Sequence, residues 1–181
     1  FLPETIGSIT YLSKNYKILK KNVSAGFNIS CVGDNRTYSF LPSRNGNTIS
    51  DRAAKHVLKY NTKNFKEYTW LDRGSDERQY CSPGIDLPIA SIMRSKYGEY
   101  PEYHTSDDNL SLISPDGLQG AYENILLALK IIEKNNFFVS TTLCEPMLGP
   151  RGLYDVEAND KPSTLVNFLS YADGKKDLID I

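Results

Sequence analysis

The chain has 181 residues, of which 40% are hydrophobic, and a chain of this size predicts one folded domain with a real core and a small appendage. Its 21 basic and 22 acidic residues give a formal net charge of −1, so no overall field draws the molecule onto nucleic acid or an anionic membrane. No apolar run reaches the roughly 20 residues that cross a bilayer, and we expect no membrane partner.

The three cysteines, Cys31, Cys81 and Cys144, lie far apart in the sequence. This spacing fits neither a disulfide framework nor a CxxC zinc site, and it favours a reducing, cytoplasmic location. The first residues include neither a basic leader nor a methionine, which predicts that the chain starts within a longer protein.

The first part of the chain predicts strands that alternate with helices. A strand ending at Pro3 precedes a helix capped by Thr5, where apolar residues recur every three positions. Alternating polarity predicts a strand over 25–32. Ser50 and Asp51 begin a stretch whose later apolar residues form one stripe, which predicts a helix over 50–60.

The second part continues the alternation. The apolar run 87–93 predicts a strand buried on both faces, followed by a long loop over 97–109. Apolar steps of three and four predict the strongest helix, over 116–134. The remaining predictions are a β-prone segment at 137–143, a helix at 162–171 and a turn at 172–174.

Together these elements predict an α/β sandwich, a fold in which sites lie beyond the carboxyl ends of the strands. Glu4, Asp34, Asp76 and His104 fall at predicted strand ends or in loops, and we expect them to meet at such an edge. A loop imidazole such as that of His104 is able to bind a metal. A lone loop histidine is more often simply solvated, so both interpretations stay open here.

The segment 74–84 is dense in charged and hydrogen-bonding side chains just before the buried strand. One interpretation is a capped helical turn with Ser75 or Asp76 as the N-cap. The other is a loop that handles substrate or protons. We predict an inert thiol at Cys81, because the sequence shows no dedicated base for it.

Three segments together resemble a known family: Pro3–Ser8, Gly74–Tyr80 and Glu102–Asn109. They are similar to uncharacterised aminopeptidase-like proteins often encoded among bacterial surface-polysaccharide genes, which in turn resemble zinc aminopeptidases and glutaminyl cyclases. The resemblance implies part of a three-layer α/β sandwich of the zinc aminopeptidase type over 1–154. It also implies the beginning of a C-terminal winged helix over 155–181.

The resemblance further implies roles for individual residues. Glu4 matches the general base, and Asp34 and His104 match zinc ligands. Asp76 matches a catalytic residue of the proton or substrate network. Thr5 stands where those enzymes have a second, zinc-binding glutamate, and since a threonine hydroxyl is a poor zinc ligand, one zinc is expected instead of two.

Three further residues are implied to bind substrate: Glu77, which stands where the family has a histidine, Arg78 and Tyr103. The implied function is zinc-dependent hydrolysis of a peptide or amide bond in a small-molecule or peptide substrate, at an amino-terminal or amino-sugar-like group. In these proteins the remaining zinc ligands precede the position of Glu4, so we expect the isolated chain to be inactive.

Two rival functions stay open. One is a non-catalytic binding or regulatory module on the same fold, and the other is a single-zinc acyl transferase or cyclase. The winged helix would allow nucleic-acid contact. Since no basic recognition helix is visible in the sequence, docking or homo-oligomerisation is an equal alternative.

Overall fold

The computed structural model describes residues 2–153 and 164–181. It divides the chain into two units, Phe1–Glu133 and Lys134–Ile181. The domain boundary predicted after residue 154 lies outside the described residues and stays a prediction.

The first unit contains a four-stranded sheet with the order β1-β4-β2-β3. The strands are β1 (Gly26–Asn28), β2 (Ser39–Leu41), β3 (Lys66–Glu67) and β4 (Ile89–Met93). β1 pairs in parallel with β4, with Phe27 opposite Ala90. β4 pairs antiparallel with β2, which pairs in parallel with β3. The carboxyl ends of β1 and β4 therefore lie at the same edge of the sheet.

The two central strands are covered on both faces. All three residues of β2 and the last four of β4 are buried. Because successive side chains of a strand point to opposite faces, burial of every residue requires cover on both sides of the sheet. The apolar run 87–93 thus predicted β4 correctly, and the predicted α/β architecture is confirmed.

Four helices belong to this unit: α1 (Ile6–Asn22), α2 (Ile49–Asn61), α3 (Glu77–Tyr80) and α4 (Pro115–Lys134). Thr48 caps α2, because its hydroxyl accepts from the amide of Asp51 while the Asp51 carboxylate accepts from the Thr48 amide. Ser114 accepts from the amide of Gly117 at 2.9 Å and so caps α4. The helices predicted at 50–60 and 116–134 are confirmed.

The start of the chain differs from the prediction. α1 is present, but Thr5 stands at its N-cap position without a side-chain capping bond. Leu2 and Pro3 are not in a strand, and Phe1 lies outside the described residues.

The second unit pairs β5 (Phe137–Val139) antiparallel with β6 (Asp173–Asp177), and the helix α5 (Thr164–Tyr171) precedes β6. The turn predicted at 172–174 is wrong, because β6 already starts at Asp173. The first two residues of the helix predicted at 162–171 lie outside the described residues. Within 2–153 and 164–181, no helix combines the length and the apolar character that a membrane crossing needs.

Candidate functional site

A cavity of about 320 Å³ lies at the sheet edge where β1 and β4 end. The loops that follow these strands form most of its wall, and the segments before α1 and α3 complete it. Its polar side chains include Glu4, Asp34, Ser75, Tyr103, His104 and Asp108. The structure therefore brings Glu4, Asp34 and His104 to one cavity, as expected for loops at the carboxyl ends of parallel strands.

Asp34 follows β1 and is buried, with 5% of its surface exposed. Its Oδ1 accepts from the Arg36 amide at 2.9 Å and from the Ser95 hydroxyl at 2.8 Å, while Oδ2 accepts from the Ser95 amide at 2.8 Å. A carboxylate offers about four acceptor positions, so about one remains for a further partner. Carboxylates that bind metals are commonly held by hydrogen bonds of this kind.

His104 lies on the exposed loop that follows β4. Its backbone φ is 58°, a conformation that histidine adopts more readily than most residues. The imidazole stacks on Tyr103 with ring centroids 3.9 Å apart. Tyr103 in turn packs against a buried cluster formed by Leu41, Met93 and Tyr97. The ring of His104 is therefore held by Tyr103, which itself packs against the core.

Arg36 connects the two loops that carry Asp34 and His104. Its amide donates to Asp34, and its guanidinium donates to both carboxylate oxygens of Glu102 at 2.8 and 2.6 Å. These bonds lower the pKa of Glu102 to about 2. Glu102 thus remains charged, and the pair stays formed, through the neutral pH range.

Glu4 lies at the cavity with its Oε1 accepting from the Ser75 hydroxyl at 2.7 Å. Behind it, the Thr5 amide donates to Asp76 Oδ1 at 2.6 Å, and the Thr5 hydroxyl accepts from Arg78 at 2.8 Å. Asp76 and Arg78 therefore contact Thr5 and are not part of the cavity wall. Their predicted roles toward substrate are not supported by these contacts.

Glu77 is fully buried and does not line the cavity, so its position does not support the predicted role in substrate binding. Its Oε1 accepts from the amides of Gly74 and Ser75 at 2.8 and 3.0 Å and from the Tyr97 hydroxyl at 2.8 Å. Its Oε2 accepts from the Asn28 side chain at 2.9 Å. The buried carboxylate thus organises the loop before α3, because it accepts hydrogen bonds from that loop, from the end of β1 and from the loop after β4.

Sequence reasoning missed Tyr97, which lines the cavity and is 6% exposed. Burial, followed by the charge of Glu77, raises its pKa far above the usual value, so its hydroxyl stays protonated and remains a donor. The available signal was its position, four residues beyond the buried strand β4, where sites of this fold class lie.

The donor types at the cavity suit zinc only in part. An imidazole and a carboxylate, from His104 and Asp34, are zinc ligands in proteins, and a catalytic zinc takes about three protein ligands. Among the residues that the structure describes, no three His, Cys, Asp or Glu side chains are grouped as a metal site. The described residues therefore fit part of a zinc site and do not complete one.

Comparison with known proteins places the two regions in families. Residues 1–135 match the model of a domain of unknown function (DUF4910), and residues 136–181 match that of a winged helix-turn-helix. A Clostridium acetobutylicum protein, provisionally named a polysaccharide biosynthesis protein with an aminopeptidase-like domain, is 39% identical over 187 residues. That alignment covers 100% of this chain and 43% of the relative.

A crystal structure of a provisionally named peptidase from Clostridium acetobutylicum is also similar, with 37% identity and a TM-score of 0.86. It covers 98% of this chain and 40% of that one. The chain thus spans less than half the length of these relatives.

Two more distant structures share the fold. An aminopeptidase from Aneurinibacillus sp. strain AM-1 is 18% identical with a TM-score of 0.59, covering 70% of this chain and 30% of that enzyme. BSAP, a zinc aminopeptidase from Bacillus subtilis, is 18% identical with a TM-score of 0.58, covering 68% and 32%. At this identity the likeness concerns the fold alone, and it confirms an aminopeptidase-like α/β fold.

Proposed function

Because the chain belongs to the DUF4910 family, with a winged helix-turn-helix region after it, we propose that it carries part of the active site of a zinc-dependent hydrolase of peptide or amide bonds. The observation that supports this most is the single cavity that collects Glu4, Asp34 and His104. The aminopeptidase-like fold and the name of the Clostridium relative point to the same reaction class.

His104 and Asp34 are proposed as two members of the zinc ligand set of the full-length protein. Zinc in such a site polarises a carbonyl group and makes water more acidic. A single ion is proposed, because Thr5 replaces a ligand carboxylate and its hydroxyl is engaged by Arg78 at 2.8 Å.

Glu4 is proposed as the general base. With one carboxylate oxygen held by Ser75, it takes the proton of the attacking water and returns it to the leaving amine. Tyr103 is proposed to contact the substrate from the cavity wall. Burial raises the pKa of Tyr103, which keeps its phenol neutral and able to donate.

The size of the cavity supports a proposal for the substrate class. Its volume of about 320 Å³ lies at the small end of the roughly 300–1,000 Å³ range of ligand pockets. This space accommodates one terminal amino acid or one amino-sugar ring, and we propose an end group of this kind as the substrate.

The test uses the full-length protein. Bound zinc is measured by elemental analysis, and hydrolysis is measured on a panel of aminoacyl p-nitroanilides and N-acylated amino sugars. Glu4→Gln is expected to lower kcat by about 10²–10⁴-fold with zinc content unchanged. Glu123→Gln, an exposed carboxylate on α4, is the matched control and should keep full activity.

Undiminished activity in Glu4→Gln would refute the proposed base. Stoichiometric zinc without turnover of any substrate in the panel would favour the non-catalytic binding module instead. A cyclised product, identified by its mass, would favour the cyclase.

The winged-helix region is proposed to act in docking or self-association rather than in DNA contact. Its described helix α5 contains neither lysine nor arginine, whereas a recognition helix normally presents basic side chains to phosphates. Sedimentation of the full-length protein should show association that is lost when 136–181 are removed. Salt-sensitive DNA binding by the same region would contradict this.

A further inference from the structure

The backbone at Glu4 turns sharply in a rare conformation. Thr5 has φ 63° and ψ −64°, and the Ile6 amide donates to the Glu4 carbonyl at 2.7 Å. These are the features of the positive-φ γ-turn, a strained form, and Thr5 is β-branched, which makes the conformation less favourable still. Strain of this kind persists only where surrounding contacts enforce it.

The contacts that enforce this turn come from residues 75–78, which end the loop before α3 and begin α3. The Ser75 hydroxyl donates to the Glu4 carboxylate, Asp76 accepts from the Thr5 amide, and Arg78 donates to the Thr5 hydroxyl. The orientation of Glu4 is therefore set by this segment, since Thr5 makes no side-chain cap of α1.

The start of this segment is in turn held by hydrogen bonds to the buried carboxylate of Glu77. Glu77 accepts the amides of Gly74 and Ser75, and Tyr97 both donates to Glu77 and accepts from the Gly74 amide at 2.8 Å. Asn28, the last residue of β1, donates to the other oxygen of Glu77. A continuous set of hydrogen bonds thus joins β1 and the loop after β4 to the side chain of Glu4.

We infer that Ser75, Glu77 and Tyr97 are positioning residues for Glu4, acting through the Ser75 hydroxyl, and this inference rests on the proposed role of Glu4 as the base. The Ser75 hydroxyl occupies one oxygen of Glu4 and so directs the other toward the cavity. Displacement of a reacting group by about 1 Å can cost about 10²-fold in rate, so a device that fixes this carboxylate acts on kcat.

The first test removes the hydroxyl alone, in the full-length protein. Ser75→Ala is expected to lower kcat about tenfold or more, with KM, zinc content and melting temperature unchanged, and Ser75→Thr is expected to restore kcat. The double variant Glu4→Gln/Ser75→Ala should be no slower than Glu4→Gln, because groups that act as a unit are non-additive. Ser13→Ala, an exposed serine on α1, is the matched control.

Full kcat in Ser75→Ala, together with a large loss in Glu4→Gln, would overturn the positioning role and leave the base assignment intact. Full activity in Glu4→Gln would instead defeat the proposed function itself. Additive losses in the double variant would also overturn the positioning role, because they would show that Ser75 acts independently of Glu4.

A second measurement needs no turnover. Tyr97→Phe keeps the ring and removes the hydroxyl, which donates to Glu77 and accepts from the Gly74 amide. Hydrogen exchange of the Thr5 and Ser75 amides is expected to become at least tenfold faster in this variant and to stay unchanged in Ser13→Ala. Unchanged exchange at both amides in Tyr97→Phe would overturn the connection between the buried carboxylate and the turn at Glu4.

Discussion

Gly117→Ala tests whether α4 holds the loop that carries Asp34. Gly117 lies in the first turn of α4, and a Cβ atom at this position would collide with the carbonyl oxygen of Gly33 and lie 2.6 Å from that of Asp34. Alanine in a helix normally stabilises it by about 1 kcal/mol relative to glycine. Overpacking costs about 1–3 kcal/mol, and because main-chain atoms cannot rotate away we expect the upper end of this range, about 3 kcal/mol. We therefore expect a net loss of about 2 kcal/mol.

The assay is thermal and urea unfolding of the purified protein. A chain of this size loses about 2–4 °C for each kcal/mol, so the melting temperature should fall by about 4–8 °C. Gln119→Ala, an exposed neighbour on the same helix, should change the unfolding free energy by less than about 0.5 kcal/mol. A Gly117→Ala protein that is more stable than the wild type would refute the close contact of α4 with this loop.

Three further predictions concern other residues. The bonds from Arg36 lower the pKa of Glu102 from 4.5 to about 2. The charged Glu102 therefore stabilises the fold above about pH 4.5 and loses this effect as the pH falls toward 2. In urea unfolding, the difference in stability between the wild type and Glu102→Gln should shrink over that range, and a pH-independent difference would refute this. Burial raises the pKa of Cys81, so iodoacetamide at about pH 8 should label the exposed Cys144 and spare Cys81 in peptide mapping, and equal labelling would contradict it. Arg94→Lys should lower the free energy of unfolding, measured in urea, by about 1–3 kcal/mol, because the buried guanidinium donates to two groups of the loop after β1. An unchanged urea midpoint would show that those bonds contribute little.

The elements with long apolar patterns could be predicted from the sequence, and the short ones could not. β4 and α4 carry enough apolar residues in register to be recognised. β2 and β3 have three and two residues, too few for an alternating pattern to be distinguished from a loop. Within α4, the apolar steps of three and four begin at Leu118, which is 46% exposed, because periodicity does not tell which of two adjoining rows faces the core.

The location of the candidate site could be predicted for residues whose place in the fold follows from the strands and helices that adjoin them. Glu4, Asp34 and His104 line one cavity because each belongs to a segment that precedes α1 or follows β1 or β4 at the same sheet edge. The burial of Glu77 was not predictable, since a carboxylate beside a charged loop is normally expected in solvent. Its partners, among them Tyr97, come from distant segments, and the sequence alone does not indicate which donors surround a buried acid.

The most direct test of the proposed zinc site is a crystal structure of the full-length protein with zinc, recorded at the zinc absorption edge. We expect one anomalous peak inside the cavity, within coordination distance of the His104 imidazole and the Asp34 carboxylate, with Glu4 facing it. His104→Ala should remove the peak. A peak that persists in that variant, or one that lies elsewhere on the protein, would contradict the proposed site.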